Sequence, residues 1–251
     1  MADAEERDFS LPLSLWVWVE TISIAAAASV CLALVRSVTW PFDPRREIVT
    51  SVYEWFIRLT LTLNPIWDFQ LEGSAGPVPE KCVVVANHVS LADFFLIRPL
   101  LPYRAKWLLK QEVYWLPFIG WNFWLVGDVP VKRGNRDSAK EAMRRCAECL
   151  ERGTPVFFFP EGTRQHTEDQ LGPFKPGAFR LAIETGADIV PVATRGARDA
   201  IRGVWLPAPA QGTLQIGEPI STTGLTLEDL DTLIEQVRDA MLELLVTELD
   251  E

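Results

Sequence analysis

The heptapeptide Asn87-His88-Val89-Ser90-Leu91-Ala92-Asp93 holds one of only two histidines in a chain of 251 residues. The apolar run CVVVA precedes it and the helical pattern LADFFLIRPLL overlaps its end. His88 is therefore expected on a strand-to-helix loop, with Asp93 in the first turn of the helix. Across such a turn, a carboxylate five residues on can fold back onto the imidazole. A carboxylate on one ring nitrogen fixes the tautomer and stabilises the imidazolium, which leaves the other nitrogen as a general base. Ser90-x-x-Asp93 also reads as a capping box. Capping accounts for Ser90 and Asp93 but leaves His88 and Asn87 unexplained, and on spacing alone both readings stand.

A second group of reactive side chains is Phe157-Phe158-Phe159-Pro160-Glu161-Gly162-Thr163-Arg164. An apolar strand ends at a proline, and the turn that follows offers a carboxylate, a hydroxyl and a guanidinium. Such a turn suits a polyol phosphate, with Arg164 for phosphate oxygens and Glu161 for a hydroxyl. A Glu161–Arg164 ion pair that stiffens the loop is the plainer alternative. A third stretch, Gly127-Asp128-Val129-Pro130-Val131-Lys132-Arg133, ends a strand in adjacent cations. Alone, Lys132 and Arg133 read as a solvated strand end; beside Arg164 they complete an anion pocket. Lys106 and Lys110 alternate with apolar residues and are further candidates for that pocket.

The elements that position these residues follow from the pattern. Short apolar runs at 67–72, 82–87, 104–109, 126–131, 155–159, 189–194 and 212–217 read as strands, and 90–100, 137–152, 176–185 and 226–248 as helices. Strands followed by helices predict an α/β fold, a mostly parallel central sheet flanked by helices, whose site forms at the C-terminal ends of the strands. The stretch Val113 to Leu125, with Trp115, Phe118, Trp121, Phe123 and Trp124 broken by Pro117 and Gly120, can line an acyl path, dip into a bilayer or simply fill core.

Before the sheet, Leu11 to Val35 carries Glu20 as its sole charge. As a helix it is about 37 Å long at 1.5 Å per residue, enough for a hydrocarbon core of about 30 Å. Trp16, Trp18 and Trp40 lie near its ends as interfacial anchors, and Arg36, Arg45 and Arg46 after it direct the rest of the chain to the cytoplasm. A buried core helix or a helix within one leaflet are alternatives. Residues 48–63 are amphipathic, as an interfacial helix would be. Residues 1–64 are thus expected to be membrane-anchoring helices and 65–251 a catalytic domain. The polar, acidic first ten residues do not suit a secretory signal.

Composition narrows the partners. With 24 Lys and Arg against 34 Asp and Glu, the net charge of −10 argues against nucleic acid. The acidity is concentrated in Leu225–Glu251, with nine acidic residues to one basic, whereas Pro102–Arg180 has thirteen basic to nine acidic. The middle of the chain can therefore receive an anionic substrate. Cys31, Cys82, Cys146 and Cys149 complete no zinc pattern, so no metal is expected and reduced thiols in the cytoplasm are the plain reading.

Taken together, the motifs resemble those of the glycerolipid acyltransferase family, typified by bacterial 1-acylglycerol-3-phosphate acyltransferases. His88 to Asp93 matches its H-x4-D motif and Phe159 to Arg164 its F-P-E-G-T-R block. Gly127 to Arg133 is similar to its G-x-[IV]-[FP]-[IV]-x-R block, and Val190-Pro191-Val192 to its V-P-[IV] strand. Phe174 to Phe179 resembles its F-K-x-G-x-F segment. The resemblance covers roughly residues 65–220 and implies His88 and Asp93 as the catalytic pair. It implies Lys132, Arg133, Glu161, Gly162, Thr163 and Arg164 as substrate-binding, with Lys106 a further candidate. It also implies direct transfer of an acyl group from acyl-CoA or acyl carrier protein to the free hydroxyl of a lysophospholipid, giving phosphatidic acid from 1-acylglycerol-3-phosphate, with no cofactor beyond the thioester. Backbone N–H groups near Ser90 are candidate oxyanion donors. The implied setting is an inner membrane with the catalytic domain facing the cytoplasm. Another lysolipid acceptor such as lyso-ornithine lipid, or a catalytically silent membrane scaffold, are the alternatives.

Overall fold

The computed structural model describes residues 11–73, 79, 81–165, 170–202 and 206–246. Seven strands form one sheet: β1 (Trp67–Glu72), β2 (Cys82–Ala86), β3 (Lys106–Lys110), β4 (Val129–Val131), β5 (Val156–Phe158), β6 (Asp188–Arg195) and β9 (Ala210–Ile216). Two further short strands, β7 (Ile201–Arg202) and β8 (Leu206–Pro207), make a separate antiparallel ribbon that the sequence patterns do not signal. The order across the main sheet is β1-β9-β6-β2-β5-β3-β4. All pairs are parallel except β6 with β9. The expected mostly parallel α/β sheet is therefore present.

β2 explains why its sequence is an unbroken apolar run. Val83 and Val85 enter the core beneath α5 (Arg136–Glu151), α6 (Gly177–Thr185) and α7 (Leu230–Val246). Cys82, Val84 and Ala86 enter the opposite core, beneath α3 (Asp93–Leu100). A strand covered on both faces has no polar side to display, so alternation disappears. β2 is also central, paired with both β5 and β6, and the loops after β2 and β5 consequently leave the sheet side by side.

Several boundaries differ from expectation for local reasons. The run 126–131 is not one strand: α4 (Ile119–Val126) ends at Gly127, whose φ of 83° gives a left-handed cap, and β4 starts at Val129. Periodicity could not separate the two because α4 is apolar nearly all round. The helix expected from residue 90 starts at Asp93, since Ser90 to Ala92 form the turn that leads into it. The C-terminal helix follows a short 3-10 turn, Leu227–Asp229, with a capping box between Thr226 and Asp229; residues 247 and 248 of that expected helix lie outside the described residues.

The N-terminal helices are α1 (Leu11–Thr39) and α2 (Glu47–Leu63). They share a core with α4, built from Ala28, Leu32, Val49, Tyr53, Ile57, Phe123 and Val126. Two polar staples hold α1 to α4: Ser29 Oγ donates to Asn122 Oδ1 at 2.9 Å, and Asn122 Nδ2 donates to Ala25 O at 3.1 Å. Among the described residues α1 is the one helix long and apolar enough to cross a membrane. Its outer face leaves Leu15, Trp16, Val19, Val30, Leu34 and Val38 exposed, and Trp40, Phe42, Trp55, Trp115, Trp121 and Trp124 are exposed as well. An apolar surface of this extent marks a site that meets lipid or another apolar partner.

Beneath α3, a buried ion pair joins two of the sequence motifs. Arg98 of α3 donates to Asp128 at 2.7 Å, and Asp128 also accepts the backbone N–H of Trp107 at 3.0 Å. The guanidinium lies against the rings of Tyr53, Phe94 and Trp107, so its charge is met on one side by a carboxylate and on the others by π faces.

Candidate active site

The chain leaves β2 through a side chain that imitates a strand. Thr194 N–H donates to Asn87 Oδ1 at 2.8 Å, and Asn87 Nδ2 donates to Thr194 O at 3.0 Å. The amide thus extends the pairing with β6 by one step while the main chain turns away. Asn87 is buried, and both of its polar atoms are used. This gives the residue that capping left unexplained a structural role: it fixes where the following loop starts.

That loop carries His88. Its Nδ1 lies 2.7 Å from Asp93 Oδ2. The same oxygen accepts the backbone N–H groups of Val89 at 2.8 Å and Ser90 at 2.9 Å. An oxygen that already accepts two N–H donors also accepts from the ring, so Nδ1 carries the proton and Nε2 keeps its lone pair. Nε2 makes no hydrogen bond among the described residues, and the imidazole is 16% exposed while Asp93 is fully buried. The carboxylate also stands in the first turn of α3, where the helix dipole favours negative charge. The two sequence readings of Asp93 prove compatible. It bonds the Ser90 N–H as a capping carboxylate would, while Ser90 Oγ accepts from Ala92 N–H at 3.2 Å rather than closing a full capping box.

The turn after β5 holds the His88 main chain on both sides. Glu161 Oε1 accepts the His88 N–H at 3.0 Å, and the Gln165 N–H donates to His88 O at 2.8 Å. Phe159 stacks on the imidazole with ring centroids 4.0 Å apart and 18° between planes. The other carboxylate oxygen of Glu161 accepts Gly172 N–H at 2.8 Å. Burial pushes the Glu161 carboxyl above the ordinary carboxylate range, and the two backbone N–H groups oppose that rise.

Three expectations change as a result. Glu161, expected to face a substrate hydroxyl, is 3% exposed with each oxygen bonded to a backbone amide, so it braces the loop. The alternative reading, a Glu161–Arg164 ion pair, is likewise absent among the described residues. The Ser90 N–H, expected as an oxyanion donor, is taken by Asp93. Lys106 is the third. It starts β3 level with Val156 and Val83, at the far end of the strands from His88, and its Nζ donates to Thr50 Oγ1 and Val126 O, both at 2.8 Å. Its place at the strand's N-terminal end keeps it out of any pocket at the C-terminal ends.

The other expected residues lie on the rim. Thr163 and Arg164 are exposed on the turn beside His88. Gly162 has φ 68°, a conformation that favours glycine, and a side chain there would collide with the Lys175 ammonium. Lys175 is tied in by its N–H to Pro160 O at 2.8 Å, which puts a further cation over the turn. Lys132 and Arg133 leave β4, whose Val131 is level with Lys110 of β3, and both are exposed. β4 is three strands from β2, about 14 Å at the usual strand spacing. The aromatic stretch 113–125 divides: Phe123 packs on Tyr53, Phe94 and Tyr114, whereas Trp115, Trp121 and Trp124 face outward.

Sequence reasoning did not find the bracing roles of Gln165 and Gly172, which act through backbone atoms and leave no side-chain signal. The stacking role of Phe159 was readable only in that an aromatic directly precedes the Pro-Glu turn.

The arrangement provides an oriented imidazole with one free nitrogen, at a sheet edge with exposed cations nearby and an apolar surface on the same molecule. Comparison with known proteins identifies the family. The family model described as Acyltransferase matches residues 70–195. A chloroplastic 1-acyl-sn-glycerol-3-phosphate acyltransferase of Brassica napus is 38% identical over 201 residues, which cover 78% of this chain and 56% of that protein. The alpha form from Mus musculus is 33% identical over 66% of this chain and 59% of its own length. The chain therefore spans little more than half the length of these relatives. The crystal structure of the 1-acyl-sn-glycerophosphate acyltransferase PlsC from Thermotoga maritima superposes with a TM-score of 0.74 at 27% identity, covering 95% of this chain and 98% of that one.

Proposed function

The chain belongs to the acyltransferase family, and from that premise we propose that it transfers a fatty acyl group from acyl-CoA or acyl carrier protein to the free hydroxyl of 1-acylglycerol-3-phosphate, forming phosphatidic acid. The observation that carries this reading is the 2.7 Å contact between His88 Nδ1 and Asp93 Oδ2, which leaves Nε2 free at a sheet edge.

In this mechanism Nε2 takes the proton from the acceptor hydroxyl as its oxygen attacks the thioester carbonyl. Asp93 stabilises the imidazolium that results. The tetrahedral intermediate collapses with loss of thiolate, whose pKa of about 8.5 calls for no strong acid. No covalent enzyme intermediate is needed, since no cysteine stands at the site and the four described thiols lie elsewhere. Arg164, with Arg133 and Lys132 across the rim, holds the acceptor phosphate. Asp93, Glu161, Asn87 and Phe159 position the imidazole.

The exposed face of α1 and the outward tryptophans support seating in a membrane, where the lysolipid acceptor and the phosphatidic acid product reside. Arg36 in the last turn of α1, with Arg45 and Arg46 after it, supports the reading that the catalytic domain faces the cytoplasm from an inner membrane. The test is mass spectrometry of products after the full chain is mixed with acyl-CoA, or with acyl-loaded acyl carrier protein, and a pool of lysolipids. Phosphatidic acid should dominate. Preferential acylation of a lysolipid without a phosphomonoester would contradict the acceptor assignment.

A further inference from the structure

A cavity of about 160 Å³ opens at the N-terminal ends of β3 and β4, the opposite end of the sheet from His88. Its walls come from the α1–α2 connector, the starts of these strands and the C-terminal half of α5. The charged residues lining it are Arg45, Arg46, Lys106, Arg145 and Arg152, against one acid, Glu148. That carboxylate is engaged by Arg144, which leaves a cationic lining with little to balance it.

Two features show a built site rather than a chance cluster. Lys106 is 4% exposed, and its ammonium spends two N–H groups on neutral acceptors, Thr50 Oγ1 and Val126 O. Its third N–H has no acceptor among the described residues, and the nearby carboxylate of Asp128 is committed to Arg98 and Trp107. Arg46 is held in a left-handed conformation, φ 56°, strain that persists only where the surroundings impose it. Its guanidinium donates to Trp124 O at 2.7 Å and Leu125 O at 3.2 Å. Burial lowers the pKa of Arg46, and the like charges of Arg36 and Arg145 add to the effect. Burial likewise lowers Lys106 to about 8. An anion in the cavity relieves both penalties.

We propose that this cavity binds a phosphate group, carried by an anionic lipid headgroup or present as free phosphate, at a site separate from the acceptor-binding rim beside His88. A tetrahedral oxyanion suits a pocket of arginine forks and one ammonium, and the volume admits it with part of its water shell. The lipid source is favoured by exposed aromatics that neighbour the lining residues along the chain or bond to one of them. Trp40 and Phe42, in the connector just ahead of the lining residues Pro44 to Arg46, and Trp124, whose carbonyl holds Arg46, are all exposed. A headgroup can therefore enter while its chains remain beside these rings.

Cys149 lines the cavity and is half-buried, so its alkylation reports occupancy at this site alone. The full chain in detergent is treated with iodoacetamide, and the modification of Cys149 is followed by fragment-ion mass spectrometry with Cys31 of α1 as internal reference. Dihexanoyl phosphatidic acid, sodium phosphate and dihexanoyl phosphatidylcholine are the probes. At a ligand concentration about four times its Kd the empty fraction, and with it the alkylation rate, falls about fivefold. Protection by phosphatidic acid alone identifies a lipid headgroup. Equal protection by sodium phosphate identifies a site for phosphate of either source. The protection should disappear in Arg145→Ala/Arg152→Ala, and Arg152→Glu, at an exposed position, serves alone should the double variant not fold. Absence of protection by both phosphates, equal protection by phosphatidylcholine, or undiminished protection in the variant overturns the proposal. The readout does not depend on turnover, so its failure and that of the proposed reaction are separable.

Discussion

The main-chain N–H of His88 donates to Glu161 Oε1 at 3.0 Å, joining residues 73 apart in sequence. Together with the Gln165 N–H on His88 O and the Phe159 ring on the imidazole, this bond makes the two motif loops a single unit. The histidine is set by its backbone from one loop and by its ring nitrogen from the other.

Glu161→Gln replaces one of two accepting oxygens by a donor that faces an N–H. Leaving a buried hydrogen bond unmade costs about 1–3 kcal/mol, so kcat should fall about ten- to a hundredfold. If Glu161 braces the loop, KM for the lysophosphatidate changes less than kcat. Steady-state kinetics that showed the loss entirely in KM would instead assign Glu161 to the acceptor.

Asp93→Asn keeps an oxygen able to accept from Val89, Ser90 and His88 but removes the charge that stabilises the imidazolium. The loop should persist, with a thermal midpoint close to that of the unaltered chain, while kcat falls about 10⁴-fold, the scale seen when the orienting carboxylate of a His-based catalytic group is neutralised. A pH–rate profile of the residual activity checks the assignment: its acidic limb, where protonation of the base shuts off turnover, should move to lower pH, because the imidazolium has lost its carboxylate.

Lys106 gives a pH signature. Burial lowers its pKa from 10.5 to about 8 in the fold, so the folded state disfavours the charge and the unfolded chain binds the proton more tightly. Between about pH 8 and 10.5 the unfolded state holds more protons, and the contribution of this residue to stability rises with pH through that window. Below pH 8 the penalty is present in full. Relative to Lys106→Met, the unaltered chain should therefore gain roughly 3 kcal/mol between neutral pH and the top of the window. Urea midpoints at several pH values measure it, and a difference independent of pH would show that the ammonium is not desolvated.

Much of this was legible in the sequence, and the reasons differ by element. The sheet could be read because its strands are short apolar runs between breakers, and β2 was unmistakable because burial on both faces removes every polar residue from CVVVA. The His88–Asp93 contact was legible because both partners lie in one turn and spacing alone brings them together. The role of Glu161 was not. Its identity suggested a hydroxyl partner, but its real partners are backbone amides of His88 and Gly172, and backbone groups look alike in any sequence. Lys106 misled for a related reason: alternation placed it on a strand but could not say which end of the sheet it would occupy. α4 was not read as a helix, and its last residue, Val126, was placed in the following strand, because an element apolar on nearly all sides carries no period.

The most direct test of the central claim is turnover of His88→Ala in the full chain, with acyl donor and 1-acylglycerol-3-phosphate. The side chain is partly exposed and its backbone contacts to Glu161 and Gln165 survive the change, so the variant should fold and remain membrane-bound. Loss of phosphatidic acid formation to the uncatalysed level is predicted. Turnover at the unaltered rate would contradict the assignment of His88 as the general base.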